Sequence, residues 1–342
     1  MLSLWLVGSP IGTLWVVPLS AALAGFTVVR WVTFLGGDSR AQHAAGLMLA
    51  FLPNSLGLSS KLLTDAVSGH LCIFWAWLLY LGFKERSGWF LVASLPVLWL
   101  LQLFKPTYNL AWLLIVGAAV LWLRTRSMLK WVAIALVCTL PVPLYLSARN
   151  FSDHGIFSAS LLGVSSAREY LQARFAAEEL GISYAQAQRE IRDRDAQAIA
   201  ERTWPSSPSG RRYLVKQQEF KRFVAEHPIA TLRLMLTEML QQFFAPQEFL
   251  FLSFVDEVPV SLRVLGSILT LLLWLSAALG LWRLWKTGDF QSGLWLLGFC
   301  GYFLGTASIV HHVGARLRLP IDLMAIPFAA WAFYVTRQAH NR

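Results

Sequence analysis

The sequence predicts an all-α fold: a polytopic bundle of about nine membrane-spanning helices with a helical insert on its outer face. Three observations predict it. The chain is 56% hydrophobic and only 14% charged, against roughly 25% charged in an ordinary soluble domain. Its apolar residues gather into runs near 20, the approximate length at which a helix satisfies its own backbone across a bilayer. Its acids are also confined: 14 of the 19 Asp and Glu fall between Asp153 and Glu257, so one charged block separates two apolar ones. A soluble globular enzyme and a disordered chain are both excluded.

The spans follow in order. Residues 1–147 form an N-terminal transmembrane bundle of six, at 12–34, 41–56, 63–83, 88–104, 108–124 and 130–147. Residues 148–258 form the outer helical region. Residues 259–342 add three spans, at 260–284, 291–310 and 319–336. Basic residues alternate between the connections. One set holds Arg30, Arg40, Lys84, Arg86, Arg124, Arg126, Lys130, Arg283, Lys286, Arg337 and Arg342. The opposite short loops hold only Lys61, Lys105, Arg316 and Arg318. The positive-inside rule puts the first set and the C-terminus in the cytoplasm, with 148–258 in the periplasm of a bacterial inner membrane. Much of the net charge of +10 is therefore topology, and no nucleic-acid partner is expected.

Within the outer region, residues 165–203 read as helix, broken at Gly181 and restarted by Ser183 as an N-cap. TWPSSPSG at 203–210 reads as a loop, and 211–226 as a second charged helix. His227-Pro228 opens a third. Its apolar positions Leu232, Met235, Leu236, Met239, Leu240 and Phe243 give an amphipathic helix lying at the membrane surface. A full span there is the runner-up, disfavoured by Arg233 and Glu238. Cys72, Cys138 and Cys300 sit in apolar runs without metal-ligand spacing and read as buried thiols. Gly301-x-x-x-Gly305 reads as a close helix approach. The start of the chain has no basic n-region and no small-residue cleavage site, unlike a signal peptide.

Few residues are left for chemistry. Asp38, Glu85 and Asp289 fall in cytoplasmic connections and read as solvated loop charges. Asp65 and Asp322 lie at the outer ends of spans. Asp322 reads as a helix N-terminal acid. For Asp65 two readings stand level: the same dipole role, with Lys61 one turn back, or a functional carboxylate in a wet cavity. On the same side, Lys105 sits in a turn broken by Pro106, and HHVGARLRLP gathers His311, His312, Arg316 and Arg318. These cations run against the charge bias and suit an anionic ligand such as phosphate. Ordinary lipid headgroups are the alternative. A metal at His311-His312 is disfavoured, since adjacent histidines project apart and no third ligand is evident.

Several segments, in one order, are similar to a known family. They are LVGSPIGTLWVVPLSAAL at 6–23, SSKLLTDA at 59–66, LFKPTYNLAWLL around Lys105 and SARNFSDHGIF at 147–157, followed by EFKRFVAEHPIATLRLMLTEMLQQFF and VGARLRLPIDLMAIPFAAWAF. The chain resembles the membrane-embedded C-type glycosyltransferases, the superfamily of protein O-mannosyltransferases and lipid A aminoarabinose transferases. The resemblance covers nearly the whole chain. It implies transfer of a sugar from a polyprenyl-phosphate carrier to a glycan, lipid or protein acceptor at the outer face. It places Asp65 in the outer cavity as a secondary acid, an acceptor-orienting group or a ligand of a divalent metal. Lys61, Lys105, His311, His312, Arg316 and Arg318 become the phosphate-side candidates.

One departure matters. Family members carry a first span and an outer loop with the catalytic acid ahead of the segment that begins here almost at Met1. The expectation is that an upstream piece lies outside this sequence or that the usual base is lacking. Two alternatives therefore remain: a non-catalytic membrane subunit of a glycan-assembly system, and a polysaccharide polymerase or ligase. A transporter is disfavoured, because no acid sits at mid-span.

Overall fold

A computed structural model of the chain describes residues 10–52, 64–123, 128–161, 163–205, 207–244, 260–308 and 318–338. Every regular element among them is helical. The first apolar block contributes α1 (Pro10–Phe34), α2 (Ser39–Ala50), α3 (Thr64–Lys84) and α4 (Gly88–Phe104). A 3₁₀ turn (Pro106–Leu110) leads to α5 (Trp112–Leu123), α6 (Met128–Thr139) and α7 (Pro141–His154). α1 stops where Gly36 takes a left-handed φ of 86°. Asp38 then caps α2, accepting the N–H of Arg40 at 3.0 Å and of Ala41 at 2.9 Å. The predicted loop charge is a helix cap, because a β-region Asp satisfies two otherwise orphan donors.

The second apolar block contributes α13 (Val260–Lys286), α14 (Phe290–Ser308) and α15 (Leu319–Gln338). Each of the nine expected spans thus contains helix, but the count of spans is coarser. Among the described residues three segments are long and apolar enough to cross a membrane: Trp15–Phe34, Asp65–Lys84 and Val264–Lys286. α6 and α7 make a fourth only if taken together, since they bend by 49° where Pro141 removes a backbone donor. α2 is 12 residues long, and the apolar stretches of α4, α5 and α15 are also short. These segments are compatible with an integral membrane protein.

Burial separates the centre of the bundle from its rim. α15 is buried from Leu319 through Ala332 and packs against α1, α2, α3, α13 and α14. The α3 window is 83% buried, whereas the α13 window is only 28% buried and turns Val264, Ile268, Leu272 and Leu275 outward. An apolar helix with an unburied apolar face is stable only against lipid or another chain. The closest backbone approach is at Gly280, where a Cβ would stand 2.0 Å from the Phe328 carbonyl oxygen. Gly69 similarly receives Leu319, and Gly82 receives Leu91. At Gly301 and Gly305 nothing among the described residues lies within 4 Å of an added Cβ. Among the described residues no helix approaches closely through that pair: small residues matter where a neighbouring backbone is near, and spacing alone does not show that.

Between the blocks stand α8 (Gly163–Ala167), a π-helical turn (Arg168–Gln172), α9 (Ala173–Leu180), α10 (Tyr184–Glu201), α11 (Pro208–Glu226) and α12 (Pro228–Phe244). Gly181 breaks the first pair at φ 64° and Ser183 caps α10 through Gln186 N–H, as the sequence predicts. α11 starts three residues earlier than expected, because Ser207 caps it and Pro208 fits its first turn. Arg168 holds Asp195 through its Nε at 2.8 and 2.9 Å and through a further Nη2 contact, with both side chains almost fully buried. α12 is amphipathic in an instructive sense. Ile229, Leu232, Leu236 and Leu240 form its exposed stripe, whereas Glu238 is buried and paired to Arg174.

Candidate functional site

The site is built at one end of α3. Asp65 lies in the first turn of that helix, where the backbone dipole favours an acid. Lys105 ends α4 in extended backbone, φ −145° and ψ 129°, as the following Pro106 requires. Its ammonium pairs directly with the Asp65 carboxylate, and the two side chains are 19% and 9% exposed. The turn is held on several sides. Gln102 donates to the Thr139 carbonyl at 2.9 Å, Tyr108 donates to the Ser68 carbonyl at 3.3 Å, and the Tyr302 hydroxyl donates to the Thr107 carbonyl.

Arg318 joins this end from α15. Leu319, its neighbour, packs on Gly69, one turn along α3 from Asp65. The guanidinium is 2% exposed. Its Nε stands 3.2 Å from the Asp322 carboxylate, and its Nη1 donates to the Phe243 carbonyl at 2.6 Å. Trp274 Nε1 donates to Asp322 at 3.1 Å, and its ring lies 5.1 Å from that of Phe243. Arg318 thereby ties α15, α13 and the end of α12 together. Lys61, His311, His312 and Arg316 lie outside the described residues.

Two sequence readings are corrected here. Asp322 is more than a helix N-terminal acid, since it is fully buried in an ion pair with Arg318. The four-residue spacing between them was the available signal. Asp289 is not a solvated connection charge. At the opposite end of α3, Lys84 Nζ reaches Asp289 at 2.6 Å and the Tyr80 hydroxyl at 2.8 Å, while Ser292 hydrogen-bonds to both Tyr80 and Asp289. α3 has 21 residues, so about 30 Å separates the two clusters.

His70 was missed by sequence reasoning. It is fully buried, with Nδ1 3.0 Å from Ser20 Oγ of α1, an arrangement no local pattern announces. Cys72 and Cys300 are buried free thiols, and Cys138 is half-buried. Among the described residues no three His, Cys, Asp or Glu side chains assemble as a metal set, so Asp65 has no further pair of such ligands there. Three grooves among the described residues lie elsewhere: two in the charged helical block, and one between α2 and α13 that is lined by Met48, Leu52 and Leu273.

The fold and this end of the bundle define an all-helical protein, compatible with an integral membrane protein, with a buried acid–cation pair and a buried arginine set where the charged helical block meets its apolar helices. Compared with protein-family models, curated proteins and solved structures, the chain matches none.

Proposed function

We propose that the protein is an integral membrane glycosyltransferase of the bacterial inner membrane. It moves a sugar from a polyprenyl-phosphate donor to a glycan, lipid or protein acceptor at the outer face, with 148–258 in the periplasm, the C-terminus in the cytoplasm and about nine spans in all. One observation carries the reading: Asp65, Lys105 and Arg318 converge on the same end of the bundle. In the reaction the bond between the anomeric carbon and the carrier phosphate oxygen breaks. The acceptor oxygen bonds to that carbon and its proton passes to a base. Lys105 has three donors, one of them directed at Asp65, and can present the others to the departing phosphate. Asp65 holds that ammonium in position and orients the acceptor hydroxyl.

The test is sugar release from a polyprenyl-phosphate donor by wild type, Asp65→Asn and Lys105→Ala. A loss of about 100-fold in both variants is expected. Equal activity in all three removes the pair from the site. A second reading, a non-catalytic membrane subunit, is favoured by the closed pairing, in which Asp65 meets Lys105 and Arg318 meets Asp322 and Phe243. It predicts no release by the wild type. A polymerase or ligase on the same carrier is separated by product length in the same assay.

A further inference from the structure

We infer that the groove between α10 and α11 in the outer block is a saccharide-binding site. Its volume is about 770 Å³, within the usual range of ligand clefts. Trp204, Glu201, Arg202, Gln217, Gln218 and Lys221 line it. Trp204 is 64% exposed, although an indole offers a large apolar face that proteins mostly bury.

The exposure is imposed by the loop's attachment. Pro205 next door is buried against Gly155 and Gly210, where an added Cβ would stand 3.0 and 2.5 Å from its ring. Ser207 lies 3.1 Å from His154 Nδ1 and caps α11. These contacts fix the loop after the indole, and before it the Arg202 N–H donates to the Ile199 carbonyl at 3.4 Å to end α10, so the indole stands out over polar neighbours. Those neighbours are ordered as well. Arg202 Nη2 donates to Gln218 Oε1 at 3.1 Å, and Gln217 Nε2 donates to the Tyr213 hydroxyl at 2.9 Å.

This combination fits the chemistry of a sugar. A pyranose presents a C–H face that packs on an aromatic ring, and hydroxyls at its edge that need paired donors and acceptors. Planar amides, a carboxylate and a guanidinium supply those in fork geometry. Two cations stand against one carboxylate in the lining, so uronate or phosphate substituents are accommodated. A bilayer is the poorer occupant, because Glu201 and two glutamines would be carried toward the headgroup boundary with the indole. In a transferase of the proposed kind the groove holds the acceptor chain. That role rests on the reading above; the binding does not.

The experiment uses the full chain in nanodiscs, with calorimetric titration of neutral glucan, chitin-type and uronate-containing hexasaccharides. At least one is expected to bind. Trp204→Ala should weaken it about tenfold, and Trp204→Phe should retain most of the affinity. Binding with unchanged transfer in Trp204→Ala leaves the groove intact and refutes only its acceptor role. Absence of binding by every hexasaccharide, or equal affinity in Trp204→Ala, overturns the site. So does quenching of Trp204 by brominated lipid, measured as the difference between wild type and Trp204→Phe, which would put the indole in the bilayer.

Discussion

The Lys105 ammonium closes an ion pair with Asp65 across the α3–α4 boundary, and both side chains are largely buried. A structural clamp needs only opposite charges, whereas a phosphate-facing cation must stand at its own position. Exchanging the pair as Asp65→Lys with Lys105→Asp separates these roles. If the proposed site is right, the double variant folds, short of wild-type stability by the cost of a lysine at the α3 N-terminus, about 1 kcal/mol, and transfer stays about 100-fold down. Restored transfer in the exchanged protein would assign the pair to the scaffold alone.

Arg318 and Asp322 are both buried, with Phe243 and Trp274 completing their contacts. Removing one partner of a buried pair costs about 3–5 kcal/mol. Arg318→Ala should therefore lower the midpoint of thermal unfolding in detergent, and Arg318→Lys should recover only part of it. A lysine lacks the planar fork that meets a carboxylate and a carbonyl together. Full recovery in the lysine variant would contradict this geometry.

Gly280 and Gly301 predict opposite outcomes for one substitution. Gly280→Ala forces a Cβ onto the Phe328 carbonyl and should loosen α13 from α15, seen as lost yield of monodisperse protein. Gly301→Ala meets nothing within 4 Å among the described residues and should change yield little. Equal behaviour of the two variants would count against the packing described.

Arg174 ties α9 to the buried Glu238 of α12, and Arg233 reaches Glu178 at 2.8 Å. Arg174→Ala should release α12 from the charged helical block while the bundle stays folded. Faster limited proteolysis within 173–244, with unchanged thermal unfolding of the bundle, is the expected result. Unaltered cleavage would show that the α12 contacts hold without this pair.

Burial first, and then the charge of Tyr170, push the Tyr184 phenol up to about 12. Its folded value lies above the ordinary one, so its contribution to the stability of the charged helical block is complete below about pH 10. That contribution is lost as pH rises from about 10 toward 12. Tyr184→Phe should flatten this part of the stability profile, measured by circular dichroism against pH.

The helices were legible because their signals are local. Apolar run length marks α1, α3 and α13, Pro141 and Gly181 mark breaks, and Ser183 marks a restart. Asp65 and Lys105 could be named as candidates from their scarcity and their side of the charge pattern. Their contact could not, because 40 residues separate them and no periodicity joins α3 to the turn at Pro106. Arg318 with Asp322 was within reach through helical spacing. His70 with Ser20, and Lys84 with Asp289, join distant segments and carried no such signal.

By itself the sequence determined an all-helical chain with apolar blocks on either side of a charged one, since backbone satisfaction and hydropathy depend on neighbours along the chain. Tertiary structure alone decided which helix sits at the centre, which glycines matter and which charges meet. Packing and ion pairing depend on distances in space, and α15, Gly280 and the Asp65–Lys105 pair acquire their roles only there.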